Sequence, residues 1–183
     1  SNALRQLHEL LMQLDKAEAA FADGPRSIAA AEKQVQQLEQ QIEDQKAKIK
    51  QTRKSSDELS LRLKTKEAEL KKLEGQLNVA TSNKEFDIFK SQIASVGSER
   101  EEFEAAAFAA MEDIDATQLK LKNLEAELKT RRAAAVSVQT EVESARPGLQ
   151  SAIDELKTQI ADAEKVIPPG EGLSAYRRLR TAN

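Results

Sequence analysis

The sequence predicts an all-α protein: a long, kinked, antiparallel coiled-coil helical hairpin. Three observations carry this reading. Two stretches of heptad-spaced apolar residues, over 25–78 and 83–146, flank a single short run of poor helix formers, Asn78-Val79-Ala80-Thr81. Just after that run, Ser82 followed by Glu85 fits a capping box, in which the hydroxyl accepts from the first turn and the carboxylate reaches back to the cap's N–H. Charged residues are 32% of the chain and aromatics 3%, which disfavours a thick globular core and suits long paired helices.

Residues 1–3, Ser1-Asn2-Ala3, look like a tag remnant and stand outside the fold argument. Over 4–22 a base helix is expected. Leu4, Leu7, Leu11 and Leu14 recur at helical spacing, and Leu10 and Phe21 widen the stripe beyond a two-stranded seam. Asp23-Gly24-Pro25 should break or kink the chain, because Gly suits a helix end and Pro a first turn.

The outgoing helix is expected over 25–78. One seam position reads Ile28, Val35, Ile42, Ile49, Ser56, Leu63, Leu70, Leu77. The other reads Ala31, Leu38, Gln45, Thr52, Leu59, Lys66, Leu73. The return helix, 83–167, carries Phe86, Ile93, Arg100, Ala107, Ile114, Leu121, Leu128, Ala135, Val142 at one position. Phe89, Val96, Phe103, Ala110, Thr117, Leu124, Arg131 and Val138 hold the other. Neither helix buries its stripe alone, and so short a turn makes the two antiparallel neighbours.

Two registers one heptad apart fit the seam. Leu77 opposite Phe89 puts Lys66 and Arg100 in one layer, which like charge disfavours. Leu70 opposite Phe89 sets Lys66 against Ile93, Arg100 against Leu59 and Ser56 against Phe103, and is the preferred arrangement. Near 147, Arg146-Pro147-Gly148 should break the return helix. After it the seam shifts to Leu149, Ile153, Leu156, Ile160, Ala163 and Ile167, a stutter. The stretch 4–21 should pack there, against 149–167. Pro168-Pro169-Gly170 ends the helix, and 171–183 reads as a tail with Tyr176, Arg177, Arg178 and Arg180.

The functional classes narrow by elimination. Net charge is −3, so no global basic field draws in nucleic acid or an anionic membrane. The longest apolar run, Ala105 to Met111, is too short to span a bilayer, and no signal peptide pattern opens the chain. The absence of cysteine removes disulfides and thiolate metal sites and is compatible with the cytoplasm, where we expect the protein. His8, the only histidine, has no second His or Cys to share a metal. No Gly-rich phosphate loop and no nucleophile–histidine arrangement is present, and the carboxylates lie on solvated helix faces. No catalytic, cofactor-binding or metal residue is therefore assigned.

The candidates that remain are contact surfaces. Phe108 falls off the seam and, with Ala105 and Met111, makes a small apolar patch on the outer face. The competing reading is a locally rotated helix in the Ala-rich stretch 105–110. Asn83 and Lys84 at the turn form a second candidate, although capping already accounts for the turn. The cluster Lys46, Lys48, Lys50, Arg53, Lys54 offers contacts to phosphates; the preferred reading is a solvated face balanced by Glu112, Asp113 and Asp115, because few aromatics interleave for base stacking.

Several of these pieces together resemble a bacterial family of coiled-coil hairpins with a C-terminal four-cysteine zinc ribbon. They are Leu7-His8-Glu9-Leu10-Leu11-Met12-Gln13-Leu14-Asp15, then Pro25, the turn Thr81-Ser82-Asn83-Lys84-Glu85-Phe86, the stretch Met111-Glu112-Asp113-Ile114, and the late Tyr176. The turn is close to the family's Thr-Asn-Lys-Glu-Tyr and is the most specific of them. The resemblance implies two Cys-x-x-Cys pairs holding zinc beyond Asn183, so the sequence is expected to be a shortened form. It further implies protein or nucleic-acid binding by that ribbon. A flagellar relative is regarded as a chaperone for an alternative sigma factor, which makes a sigma factor or other regulatory protein the expected kind of partner. Arg177, Arg178 and Arg180 become nucleic-acid candidates because they lead toward the ribbon; a plain linker is the alternative. The expected function is thus a non-enzymatic adaptor or chaperone. A purely structural spacer or oligomerisation rod, and direct nucleic-acid binding, are the competing readings.

Overall fold

A computed structural model describes residues 2–182 and every side chain among them except those of residues 171, 179 and 182. Three helices follow one another: α1 (Asn2–Asn78), α2 (Asn83–Val166) and α3 (Glu171–Ala182). The chain is an all-α helical hairpin in which α1 and α2 run antiparallel. It divides into two compact units, one of residues 1–36 with 130–183 and one of residues 37–129.

The unit 37–129 contains the turn. Its core is the seam read from the sequence: Leu38, Ile42, Ile49, Leu73, Val96, Leu124 and Leu128 are buried. Thr117 is the polar member of this layer stack, and its hydroxyl donates to the Asp113 carbonyl at 2.7 Å, so it enters the core already satisfied. At the turn, the Glu85 N–H donates to Ser82 Oγ at 3.1 Å. The Glu85 carboxylate accepts from the N–H of Thr81, one residue before the cap, at 3.3 Å.

The register differs from the one preferred above. Lys66 Nζ meets a Glu99 carboxylate oxygen at 2.5 Å, Arg100 meets Glu67 at 3.4 Å, and the Arg62 guanidinium sits 5.8 Å from the Phe103 ring centre. These pairs belong to the arrangement with Leu77 level with Phe89, so Lys66 and Arg100 do share a layer. The physical reason is that acids on the flanks receive both cations. Lys66 also reaches Glu69 at 3.4 Å and Arg100 reaches Glu104 at 3.1 Å. Each cation buries its stem along the seam and turns its head outward to a carboxylate. The bond to Glu99 is the main reason the Lys66 pKa is raised; burial acts against it and Glu69 adds to it.

The unit 1–36 with 130–183 has a broader core. Leu7, Leu14, Ile153, Ile160 and Ile167 are buried together, with Leu7 at 0% and Ile160 at 1% exposure. Leu4, Leu10, Leu11, Phe21, Leu156, Leu173 and Tyr176 pack around them. The extra width of the 4–21 stripe is explained by a third partner. The stretch 171–182, expected as a tail, forms α3 and supplies Leu173 and Tyr176 to this cluster. Ala3 of the expected tag remnant is helical and packs on it as well; Ser1 and Asn183 lie outside the described residues.

The predicted breaks at 23–25 and 147 also differ. Pro25 lies inside α1 and Pro147 inside α2, and each helix continues through. Each proline removes one N–H donor, so the carbonyls of Phe21 and Glu143 lose their usual helical partners. Gly24 has a separate role. A Cβ there would stand 2.8 Å from Val142 Cγ1, so the Val142 side chain packs over bare backbone at 24 and would have to give way to any side chain placed there.

Candidate partner-binding surfaces

The turn presents Asn83 and Lys84, both exposed, at the start of α2. The cap itself is made by Ser82 and Glu85. Lys84 is not explained by capping, since a cation in a first turn opposes the helix dipole.

On α2, Ala105, Phe108 and Met111 are exposed, Phe108 at 64% and Met111 at 60%. The locally rotated helix, which would have buried Phe108, is not what forms: the seam residues Ala107 and Ala110 stay half-buried while Phe108 faces out. Seven residues after Met111, and so on the same side of α2, comes Gln118. It borders a groove of about 360 Å³ lined by Lys46, Ile49, Lys50, Arg53, Gln118 and Leu121. Lys46, Lys50 and Arg53 recur at four- and three-residue steps and so share one face of α1.

The basic cluster is balanced only in part. Lys48 reaches across to Asp113 at 3.6 Å, and Lys46 meets Glu43 of its own helix at 3.7 Å. Lys50, Arg53 and Lys54 make no ion pair among the described residues.

On α3, Arg177 and Arg178 are exposed, and Arg180 is ion-paired with Glu164. Tyr176 Oη is buried and makes no hydrogen bond among the described residues. Burial pushes its pKa up, while the charge of Arg180 pulls the other way. His8 is exposed.

A further cavity, of about 430 Å³, lies between the helices of the unit 1–36 with 130–183. Phe21, Gly24, Pro25, Ile28 and Val142 line it. Arg146 is also in its wall, with its guanidinium 5.5 Å from the Phe21 ring centre. Sequence reading missed this cavity. The available signal was that Gly24-Pro25 and Pro147 fall at matching heights of an antiparallel pair.

Among the described residues no group of three or more His, Cys, Asp or Glu is placed to hold a metal ion. No helix among them is long and apolar enough to cross a membrane.

No protein-family profile matches the chain. No curated protein matches it either. In fold it is similar to CT398 from Chlamydia trachomatis, with a TM-score of 0.73 and 16% identity over 100% of this chain and 78% of that one. A coiled-coil segment of Smc from Pyrococcus yayanosii aligns over 98% of this chain and 79% of its own, at 20% identity and a TM-score of 0.38.

Proposed function

We propose that this coiled-coil protein is a non-enzymatic, cytoplasmic adaptor or chaperone of bacterial type that binds protein partners along its helices. One observation carries the reading: Phe108 and Met111 stand exposed, off a seam whose other large apolar residues are mostly covered. Water-facing aromatic and thioether groups on one helix face contribute nothing to the pairing of α1 with α2, and such groups are the usual anchors of a protein contact. Lys84, set against the helix dipole at the exposed turn, supports a second contact at the tip. The resemblance of the turn and of the opening Leu-rich segment to the zinc-ribbon hairpins supports a regulatory protein, such as a sigma factor, as the partner. It also supports zinc and nucleic-acid binding in a ribbon beyond these residues.

A photo-crosslinking residue at position 108, incorporated in cells, tests this. The expected outcome is a discrete crosslinked partner that is lost when the probe is moved to exposed Glu127, on another face of α2 and about five turns away. Recovery of no partner from either site overturns the reading and leaves a structural spacer. On the spacer reading, Phe108→Ala and Lys84→Ala change no interaction, and only seam variants such as Leu70→Asp matter, through folding.

A further inference from the structure

We propose that the groove between Lys46, Lys50, Arg53 and Gln118, with Met111 and Phe108 beside it, binds an acidic peptide segment that carries an apolar anchor. The proposal rests on the reading of Phe108 and Met111 as a partner surface and adds the chemistry of the partner.

Three features converge. First, the walls are cationic: Lys50 and Arg53 make no ion pair among the described residues, and Lys46 has only Glu43 of its own helix. No acid lines the groove itself; Glu43, Asp57 and Asp115 lie about one turn from Lys46, Arg53 and Gln118 on their own helices, so the lining is positive. Second, the floor is apolar, made by buried Ile49 and half-buried Leu121, and a carboxylate above it meets fixed cations in partly desolvated surroundings. Third, the register that pairs Lys66 with Glu99 and Arg62 with Phe103 brings Arg53 level with residues 112–113, next to Met111. Met111 and Phe108 thus extend the groove along α2 by one to two turns.

An acidic amphipathic segment matches both halves at once. Its carboxylates meet Lys50 and Arg53, and its apolar side chain covers Met111 and Phe108. A nucleic acid fits less well. Three cations neutralise few phosphates, Phe108 beside the groove gives a stacking face to one base only, and the chain's net charge of −3 opposes a polyanion.

Fluorescence anisotropy on the full chain decides it. The probes are a fluorescein-labelled glutamate-rich peptide with one leucine and one phenylalanine, its lysine-for-glutamate counterpart, and a labelled oligothymidylate. The expected result is salt-sensitive binding of the acidic peptide alone, weakened about tenfold or more in a Lys50→Gln/Arg53→Gln variant that keeps its thermal melting profile. Equal binding of the two peptides, or tighter binding of the oligonucleotide, overturns the proposal. Phe108→Ala/Met111→Ala separates the two levels of inference. Weakened acidic-peptide binding in that variant supports both. Unchanged binding there, with loss in the Lys50/Arg53 variant, upholds the cationic groove and removes the apolar anchor from the proposal. Failure of the acidic peptide to bind while position 108 still crosslinks a partner in cells overturns the acidic chemistry and leaves the adaptor reading standing.

Discussion

Tyr176 brings a hydroxyl into the base cluster, close to the Arg180 guanidinium but without a hydrogen bond of normal geometry to it. A buried, unpaired hydroxyl costs about 1–3 kcal/mol of desolvation. Tyr176→Phe is therefore expected to be neutral or to stabilise by up to about that amount in urea melts; a loss of stability would mean that the hydroxyl has a partner. Lys66 gives a pH signature. Its folded-state pKa is raised above the ordinary 10.5, chiefly by Glu99. Its contribution is therefore fully present below 10.5 and is lost as pH climbs through the higher folded-state value. Thermal melts across that alkaline range should fall more steeply for the native chain than for Glu99→Gln; parallel slopes would remove the coupling. At the turn, Ser82→Ala should cost about 1 kcal/mol, because an N–H of the first turn loses its acceptor. Equilibrium unfolding reads this directly, and no change would show the cap to be idle.

At the scale of elements, Gly24 is informative. In an exposed helix, Gly→Ala gains about 1 kcal/mol. Here the added Cβ meets Val142 Cγ1 at 2.8 Å, and a β-branched side chain has little freedom to withdraw. Gly24→Ala alone should destabilise by about 1–2 kcal/mol. Combined with Val142→Ala it should stabilise relative to Val142→Ala by itself. A simple gain from Gly24→Ala would mean the helices do not approach there. The same position shows why the sequence misleads locally. Gly-Pro is a stop signal by propensity, yet the helix continues through it, because burial of Phe21, Ile28 and their neighbours on both sides outweighs one missing hydrogen bond. The helical α3 was legible in principle, since Leu173 and Tyr176 stand three apart with Arg180 four further on. What the sequence did not reveal is that the wide 4–21 stripe was the surface waiting for it. Of the candidate surfaces, the exposure of Phe108 was readable from its heptad position. The groove beside it was not, because it depends on the register.

At the scale of the whole chain, heptad spacing, the single capped turn and the scarcity of aromatics were sufficient to specify two antiparallel helices. Seam residues read without their flanks were not sufficient to set the register. Lys66 and Arg100 look incompatible in one layer until Glu67, Glu69, Glu99 and Glu104 are counted, and those acids lie outside the seam. Register matters for function as well as packing, because it decides which side chains of α1 stand beside Met111 and Phe108.

Pulsed electron–electron distance measurement on spin labels tests this pairing most directly, and a chain without cysteine accepts labels only where cysteines are introduced. Exposed Lys64 is labelled together with exposed Glu101 in one sample and with exposed Ala94 in another. The seven residues between 94 and 101 correspond to about 10 Å along the helix. The expected result is a shorter distance for 64–101 than for 64–94, unchanged when labelled protein is diluted into an excess of unlabelled protein. A shorter 64–94 distance would contradict the register, and loss of the signal on dilution would show that α1 pairs with a second copy instead of with its own α2.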